Sequence, residues 1–191
     1  MTYLALIRHG ETEWNAQRRL QGSSDIPLND TGRVQARGAA DALAGRTWDL
    51  LVSSPLSRAS ETADIIGAQL GIERSAAYRD LAERHLGEAE GITDYEAFDR
   101  WPHGRYPDIE PKPSVARRGL RAIDDLARRH PGSAIIAVTH GGVIRAVLDS
   151  IRSARSPRIR NAGISTLSHD GQRWTVHSIN GVDLMPRHAT S

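Results

Sequence analysis

Tyr3-Leu4-Ala5-Leu6-Ile7-Arg8-His9-Gly10-Glu11-Thr12 decides how the rest of the chain is read. Its first five residues form a short apolar run that stops at Arg8-His9-Gly10, the pattern of a buried strand rather than of a helix. Beyond the carboxyl ends of such strands, open α/β sheets gather their ligands. His9 stands at that edge with Arg8 beside it. The pattern recurs late in the chain, where Ala134-Ile135-Ile136-Ala137-Val138 runs into Thr139-His140-Gly141-Gly142. A third apolar run, Asp49-Leu50-Leu51-Val52-Ser53, leads through Ser54-Pro55 to Arg58.

Between these runs the spacing predicts helices. Val34, Ala36, Ala39, Ala40, Leu43 and Ala44 recur at helical intervals, with Asp30 or Thr31 as cap and Gly45 as stop. Residues 57–70 read as a second helix ended by Gly71, residues 115–129 as a third ended by His130-Pro131-Gly132, and residues 143–151 as a fourth. Residues 78–81 read as a short edge strand. Residues 164–168 and 174–179 read as a hairpin turning at Asp170-Gly171. This alternation predicts an α/β fold, a three-layer α/β/α sandwich with a mostly parallel central sheet.

The 191 residues suit a single domain over residues 1–191 without an internal linker. Residues 92–115 break the regular alternation with Tyr95, Phe98, Trp101 and Tyr106 set among Pro102, Pro107, Pro111 and Pro113, and are expected to form a short lid insertion. The tail at residues 186–191 is expected to fray.

No apolar run approaches the roughly 20 residues that span a bilayer, so no membrane partner is expected. The first strand begins without a basic leader, which makes cytoplasmic residence the expectation. With no cysteine, disulfides, thiolate metal sites and a cysteine nucleophile are excluded. Lys112 is the only lysine, so nearly all the basic charge is guanidinium, a group suited to gripping phosphate or carboxylate. A net charge of only +2, without a basic block interleaved with aromatics, makes nucleic acid an unexpected partner. Glycines beside His9 and His140 permit close approach of a ligand, and the N-terminus of the helix after His140 offers amides and a positive dipole end. With Arg8, Arg58 and Arg145 nearby, such a pocket suits a phosphoryl group.

Arg8-His9-Gly10-Glu11-Thr12, Trp14-Asn15, Gln21-Gly22, Ser53-Ser54-Pro55-Leu56-Ser57-Arg58-Ala59-Ser60-Glu61-Thr62, Glu83 with Gly87 and Glu90-Gly91, and Thr139-His140-Gly141-Gly142-Val143-Ile144-Arg145 occur in this order. Together they resemble the histidine phosphatase superfamily, the phosphoglycerate mutase-like group. The resemblance implies a phosphatase acting without metal or other cofactor on a small phosphorylated metabolite through a phosphohistidine. It implies that His9 is the nucleophile and that Glu83 is the general acid. Arg8, Arg58 and a protonated His140 would hold the phosphoryl oxygens, with Asn15 as a further donor and Gln21, Gly22 and Gly141 lining the phosphate or substrate. Thr12, Trp14 and Asn161 match family positions near the site, and Glu61 and Thr62 are expected to orient Arg58.

Two departures stand out. Ala89 replaces an aromatic common before Glu-Gly, and Pro111-Lys112-Pro113-Ser114 replaces a Gly-Glu-Ser. Both fall on the lid and specificity side, where His103 and Arg105 are candidates for contacting a second anion. A phosphoglycerate mutase is the alternative activity, disfavoured by the short insertion between Glu83 and His140. A noncatalytic phospho-ligand-binding module is the alternative from another class, disfavoured because no catalytic group is missing. The oligomeric state and the particular phosphoester are left open.

Overall fold

The computed structural model describes residues 1–184, and the tail at residues 186–191 lies outside them. Among the described residues, seven strands form one sheet in the order β3-β2-β4-β1-β5-β6-β7. β1 (Thr2–Arg8) sits near its centre, parallel to β4 (Ala134–Thr139), which pairs in turn with β2 (Leu50–Ser53), while β3 (Arg74–Ala77) forms the edge. On the other side of β1 the pairing becomes antiparallel through β5 (Ile164–His169), β6 (Trp174–Ile179) and β7 (Val182–Asp183). The sheet is thus mixed: β5 itself runs antiparallel to β1, and the short link at Asp170-Gly171 can only return β6 antiparallel to β5.

Strand side chains alternate between faces, and both faces are covered. Leu4, Leu6, Ile135 and Ala137 meet α5 (Lys112–Arg129) and α6 (Gly141–Arg152), whereas Ala5, Ile7, Ile136 and Val138 meet α2 (Asp30–Leu43) and α3 (Ser57–Leu70). Leu4 to Ile7 and Ile135 to Val138 are therefore apolar at every position. Three layers result, and the carboxyl ends of β1 and β4 emerge side by side.

Several boundaries differ from the sequence reading. Asn29, not Asp30 or Thr31, caps α2, its side chain accepting the Gly32 amide at 2.8 Å. The stop comes at Ala44, and Val34 and Ala44 face outward. The edge strand lies at Arg74–Ala77, where the small, exposed Ser75, Ala76 and Ala77 carry no apolar signal, while Arg79–Leu81 coil into a 3₁₀ turn that buries Leu81. α5 begins at Lys112, because Pro113 in a first helical turn gives up no needed hydrogen bond. The insertion therefore ends at residue 111. It contains a short helix α4 (Asp94–Arg100), closed by a Thr93–Glu96 capping box, and a Trp101–Tyr106 pair 5.5 Å apart. Its base is tied to the segment after α1 (Glu13–Ala16) by Gly91 N to Leu20 O (2.7 Å) and Asp94 N to Arg18 O (3.0 Å).

Candidate active site

The two histidines meet where β1 and β4 end. His9 N donates to Thr139 O at 2.9 Å, continuing the ladder one step, and the His9 and His140 rings lie 5.1 Å apart. Both are buried, His9 at 2% exposure and His140 at 0%. His9 Nδ1 is 2.7 Å from Gly10 O. A carbonyl only accepts, so in the neutral ring Nδ1 carries the proton and Nε2 the lone pair. His140 Nε2 faces Ser54 Oγ at 2.7 Å, and His140 Nδ1 is buried without a hydrogen-bond partner among the described residues.

Arg58, in the first turn of α3, is fully buried and reaches behind His9. Its Nη1 donates to Ser24 O (2.7 Å) and its Nη2 to Gly22 O (2.8 Å), leaving Nε directed at His9 Nε2 at 3.3 Å. One turn further on, Thr62 donates to Arg58 O and accepts from Gly10 N, joining the helix to the loop after β1. Glu61 does not orient Arg58; it pairs with Arg33 at 2.7 Å, the cation its outward position meets first. Gly10 touches Gly32 backbone to backbone, and a Cβ on either would overlap the other strand of chain.

Arg8 is buried beside them, its Nη1 donating to Ile159 O at 2.9 Å and its Nε left without a partner among the described residues. Burial, with Arg158 and Arg58 nearby, lowers its guanidinium to about 10 against the attraction of Glu83. It therefore stays charged at neutral pH. Glu83 is half-buried, accepting Arg84 N at 2.8 Å and Gly142 N at 3.2 Å. One of the amides at the start of α6 is thus already committed to a carboxylate, while Gly141 lies against the Arg8 side chain.

Asn15 sits in the capping box of α1. Its Oδ1 accepts from Asn161 Nδ2 at 3.0 Å, and the same nitrogen lies 3.2 Å from His9 O, which ties Asn15 and Asn161 to the His9 backbone. Gln21 is buried with Oε1 unpaired, and Gly22 takes a left-handed φ of 54° and supplies the carbonyl that holds Arg58. The structure therefore gathers Arg8, His9, Arg58, Glu83 and His140 and places Gln21 and Gly22 on the loop behind Arg58. Arg145 is not among them; it is exposed on α6 in an adjoining groove. His103 and Arg105 are exposed on the insertion.

Two supports escape a linear reading. Arg118 on α5 grips Glu110 with Nε and Nη2 (2.9 and 3.0 Å) and Asp80 O with Nη1 (2.9 Å), fixing the segment that carries Glu83. Glu90 accepts Ser23 N (2.9 Å), Ser24 N (2.9 Å), Ser24 Oγ (2.6 Å) and Leu86 N (3.0 Å), pinning the loop whose carbonyls hold Arg58. Burial alone would raise the Glu90 carboxyl, but the donors from Leu86, Ser24 and Ser23 outweigh it and hold the group below its usual range. Glu90→Gln turns one acceptor into a donor facing donors. It is expected to cost about 2 kcal/mol of stability and, by loosening Arg58, about tenfold in kcat. Melting and steady-state assays within error of wild type would contradict this role.

Burial, Arg8 and Arg58 push His9 well below the ordinary histidine range; burial, Arg58, His9 and Arg8 do the same to His140. Burial above all, with Arg58, His9 and Arg8 beside it, thus favours the neutral form of His140 when no anion is bound. Between these depressed values and the unfolded value near 6.5, the unfolded chain binds protons that the native chain refuses. Stability is therefore unaffected above about pH 7.5 and falls as pH drops below 6.5, by at most about 1.4 kcal/mol per pH unit for each histidine. Melting temperatures recorded from pH 8 to pH 5 should decline below 6.5 and decline less steeply in His9→Ala. A flat profile would contradict the burial-driven shifts.

The histidine phosphatase superfamily (branch 1) family model matches residues 4–181. The chain belongs to the histidine phosphatase superfamily. Among relatives, the uncharacterized phosphatase PhoE of Bacillus subtilis (strain 168) is 35% identical over 184 residues, covering 94% of this chain and 95% of that protein. Phosphoglycerate mutase-like protein 4 of Arabidopsis thaliana is 37% identical over 189 residues, covering 91% and 82%. Among solved structures, a mycobacterial glucosyl-3-phosphoglycerate phosphatase complexed with VO3 superposes with a TM-score of 0.86 at 29% identity, covering 93% of this chain and 98% of that one. This histidine phosphatase is a phosphatase-type enzyme with an α/β fold, and none of its described helices is long and apolar enough to cross a membrane.

Proposed function

We propose that this histidine phosphatase hydrolyses a small phosphorylated metabolite without a metal, through a phosphohistidine at His9. The observation that carries the reading is the lone pair of a neutral, buried His9 Nε2 ringed by Arg8, Arg58 and His140. In-line attack by Nε2 on phosphorus places charge on the imidazole, which Gly10 O stabilises through Nδ1–H. The Arg58 contact to Nε2, long at 3.3 Å, gives way to a phosphoryl oxygen. Arg8, Arg58, His140 and Asn15 receive the equatorial oxygens, so spread negative charge meets fixed donors.

Arg8 Nε and His140 Nδ1 are buried and unpaired among the described residues, and an anion that accepts them removes a penalty of about 1–3 kcal/mol each. A phosphoryl dianion also offsets the guanidinium charge and draws His140 toward its protonated form. Glu83 donates a proton to the leaving oxygen and then takes one from the water that attacks the phosphoenzyme. Two positive guanidiniums beside His9 disfavour a divalent cation there. Hydrolysis is favoured over mutase transfer by the brevity of the insertion, which carries one seven-residue helix before α5 begins.

Acid-labile, base-stable label on His9 after a denaturing quench with a radiolabelled phosphoester is expected, with turnover unaffected by a chelator and inhibited by vanadate. Turnover lost to chelator and restored by metal, or transfer between substrate hydroxyls without phosphate release, would replace this reading.

A further inference from the structure

Beside the phosphoryl site, a cavity of about 620 Å³ lies in the groove between α5 and α6. The two helices run in tight contact where Gly119 meets Val147, a place with no room for a Cβ. Both helices begin at the same edge of the sheet, at Lys112 and Gly141, so their positive dipole ends flank the groove. Arg84, Lys112, Arg117 and Arg145 line it, against one carboxylate among the described residues, Asp149, whose Oδ1 already accepts Ser156 N at 2.6 Å. None of the four cations forms an ion pair among the described residues; Arg84 gives its Nε to the Glu110 carbonyl. Between the charges, Val115, Leu120 and Ala146 provide an apolar wall.

The groove and the proton donor share one residue. Gly142 lines the cavity, its amide donates to Glu83 Oε2 at 3.2 Å, and a Cβ on it would overlap Glu83 Oε1. Arg84, next in sequence, also lines the cavity. The oxygen that Glu83 protonates is the first atom of the leaving group, so whatever that oxygen carries starts next to this opening.

We infer that the groove between α5 and α6 is the leaving-group subsite and that it takes an alcohol with an apolar stem ending in a second anion. The inference rests on the reading of His9 as the phosphoryl acceptor and Glu83 as the leaving-group acid. The stem lies along Val115, Leu120 and Ala146, and the terminal anion sits among Lys112, Arg117 and Arg145. The insertion is then a cover rather than the reader of the distal charge, consistent with His103 and Arg105 being exposed on it.

The test compares straight-chain alkyl phosphates with ω-carboxyalkyl phosphates of equal length, from four to eight carbons, at low ionic strength, with p-nitrophenyl phosphate assayed in parallel. At one or more lengths the carboxylate is expected to raise kcat/KM by about tenfold over its uncharged counterpart. In Lys112→Gln/Arg145→Gln that preference should fall to about twofold or less. Both side chains are exposed, and a melting curve of the variant, expected to match wild type, checks its folding. A ratio near one at every length, or one that the double variant leaves intact, overturns the subsite while p-nitrophenyl phosphate is still hydrolysed. Activation or noncompetitive inhibition by the free carboxylates overturns it too, since the groove would then hold an effector. Absence of turnover on every ester would instead sink the phosphatase reading itself.

Discussion

Replacing His9 with alanine is expected to lower kcat by about 10⁴-fold or more, because the nucleophile and the covalent route vanish together. The size of the effect follows from how narrowly the ring is specified. Gly10 O fixes the proton on Nδ1, and burial, reinforced by Arg8 and Arg58, favours the neutral ring and its Nε2 lone pair. Without the ring, water must attack the ester directly. The phosphate-binding groups survive, since Arg8 is held by Ile159 O and Arg58 by Gly22 O and Ser24 O, none of which depends on His9. Vanadate should therefore still bind to the variant while phosphoenzyme is absent. Retention of more than about one per cent of wild-type kcat with an unchanged pH profile would remove His9 from the nucleophile's role.

Glu83→Gln is expected to act according to the ester. With an alkyl phosphate, whose alkoxide leaves poorly, kcat should fall by about 10²–10⁴-fold. With p-nitrophenyl phosphate the first step needs little protonation, so the defect moves to the second step, where Glu83 would activate water. Labelled enzyme should then accumulate on His9 after a burst. The glutamine can still accept the Arg84 amide but turns a donor toward Gly142 or loses that contact, so the melting temperature is measured alongside. Equal losses on both ester classes, with no burst and an unaltered pH profile, would make Glu83 a structural residue.

Much of this architecture is readable from local pattern. Apolar runs that end at His9 and His140 locate the strands, and Gly71 in its left-handed conformation ends α3 where the spacing says it should. Arg58 could be tied to the site because the helix that bears it follows directly after a strand. What stays hidden depends on partners far along the chain. Nothing near Glu90 indicates that its carboxylate will gather amides and hydroxyls from residues 23 and 24, and nothing near Arg118 announces Glu110 and Asp80. Glu61 lies three residues from Arg58, yet the fold turns it toward Arg33 on another helix. Gly32 looks like an ordinary turn glycine until α2 is laid against the loop after β1. Electrostatics are hidden for the same reason: only the fold shows that burial beside two guanidiniums lowers the pKa of His140.

The central place of β1 governs how the molecule is born. β1 leaves the ribosome well before the strands it pairs with, β4 and β5, whose residues follow about 130 and 160 positions later, and Arg8 N is held by Gly163 O. Until that stretch has been synthesised, the opening motif has neither neighbour in the sheet and His9 has no His140 opposite it. Nascent chains halted before β4 would carry an exposed apolar β1 segment, a target for chaperones and for association with other unfinished chains. Activity during translation should therefore arrive in one late step, after β5, which ends at His169, has cleared the exit tunnel, instead of growing with length.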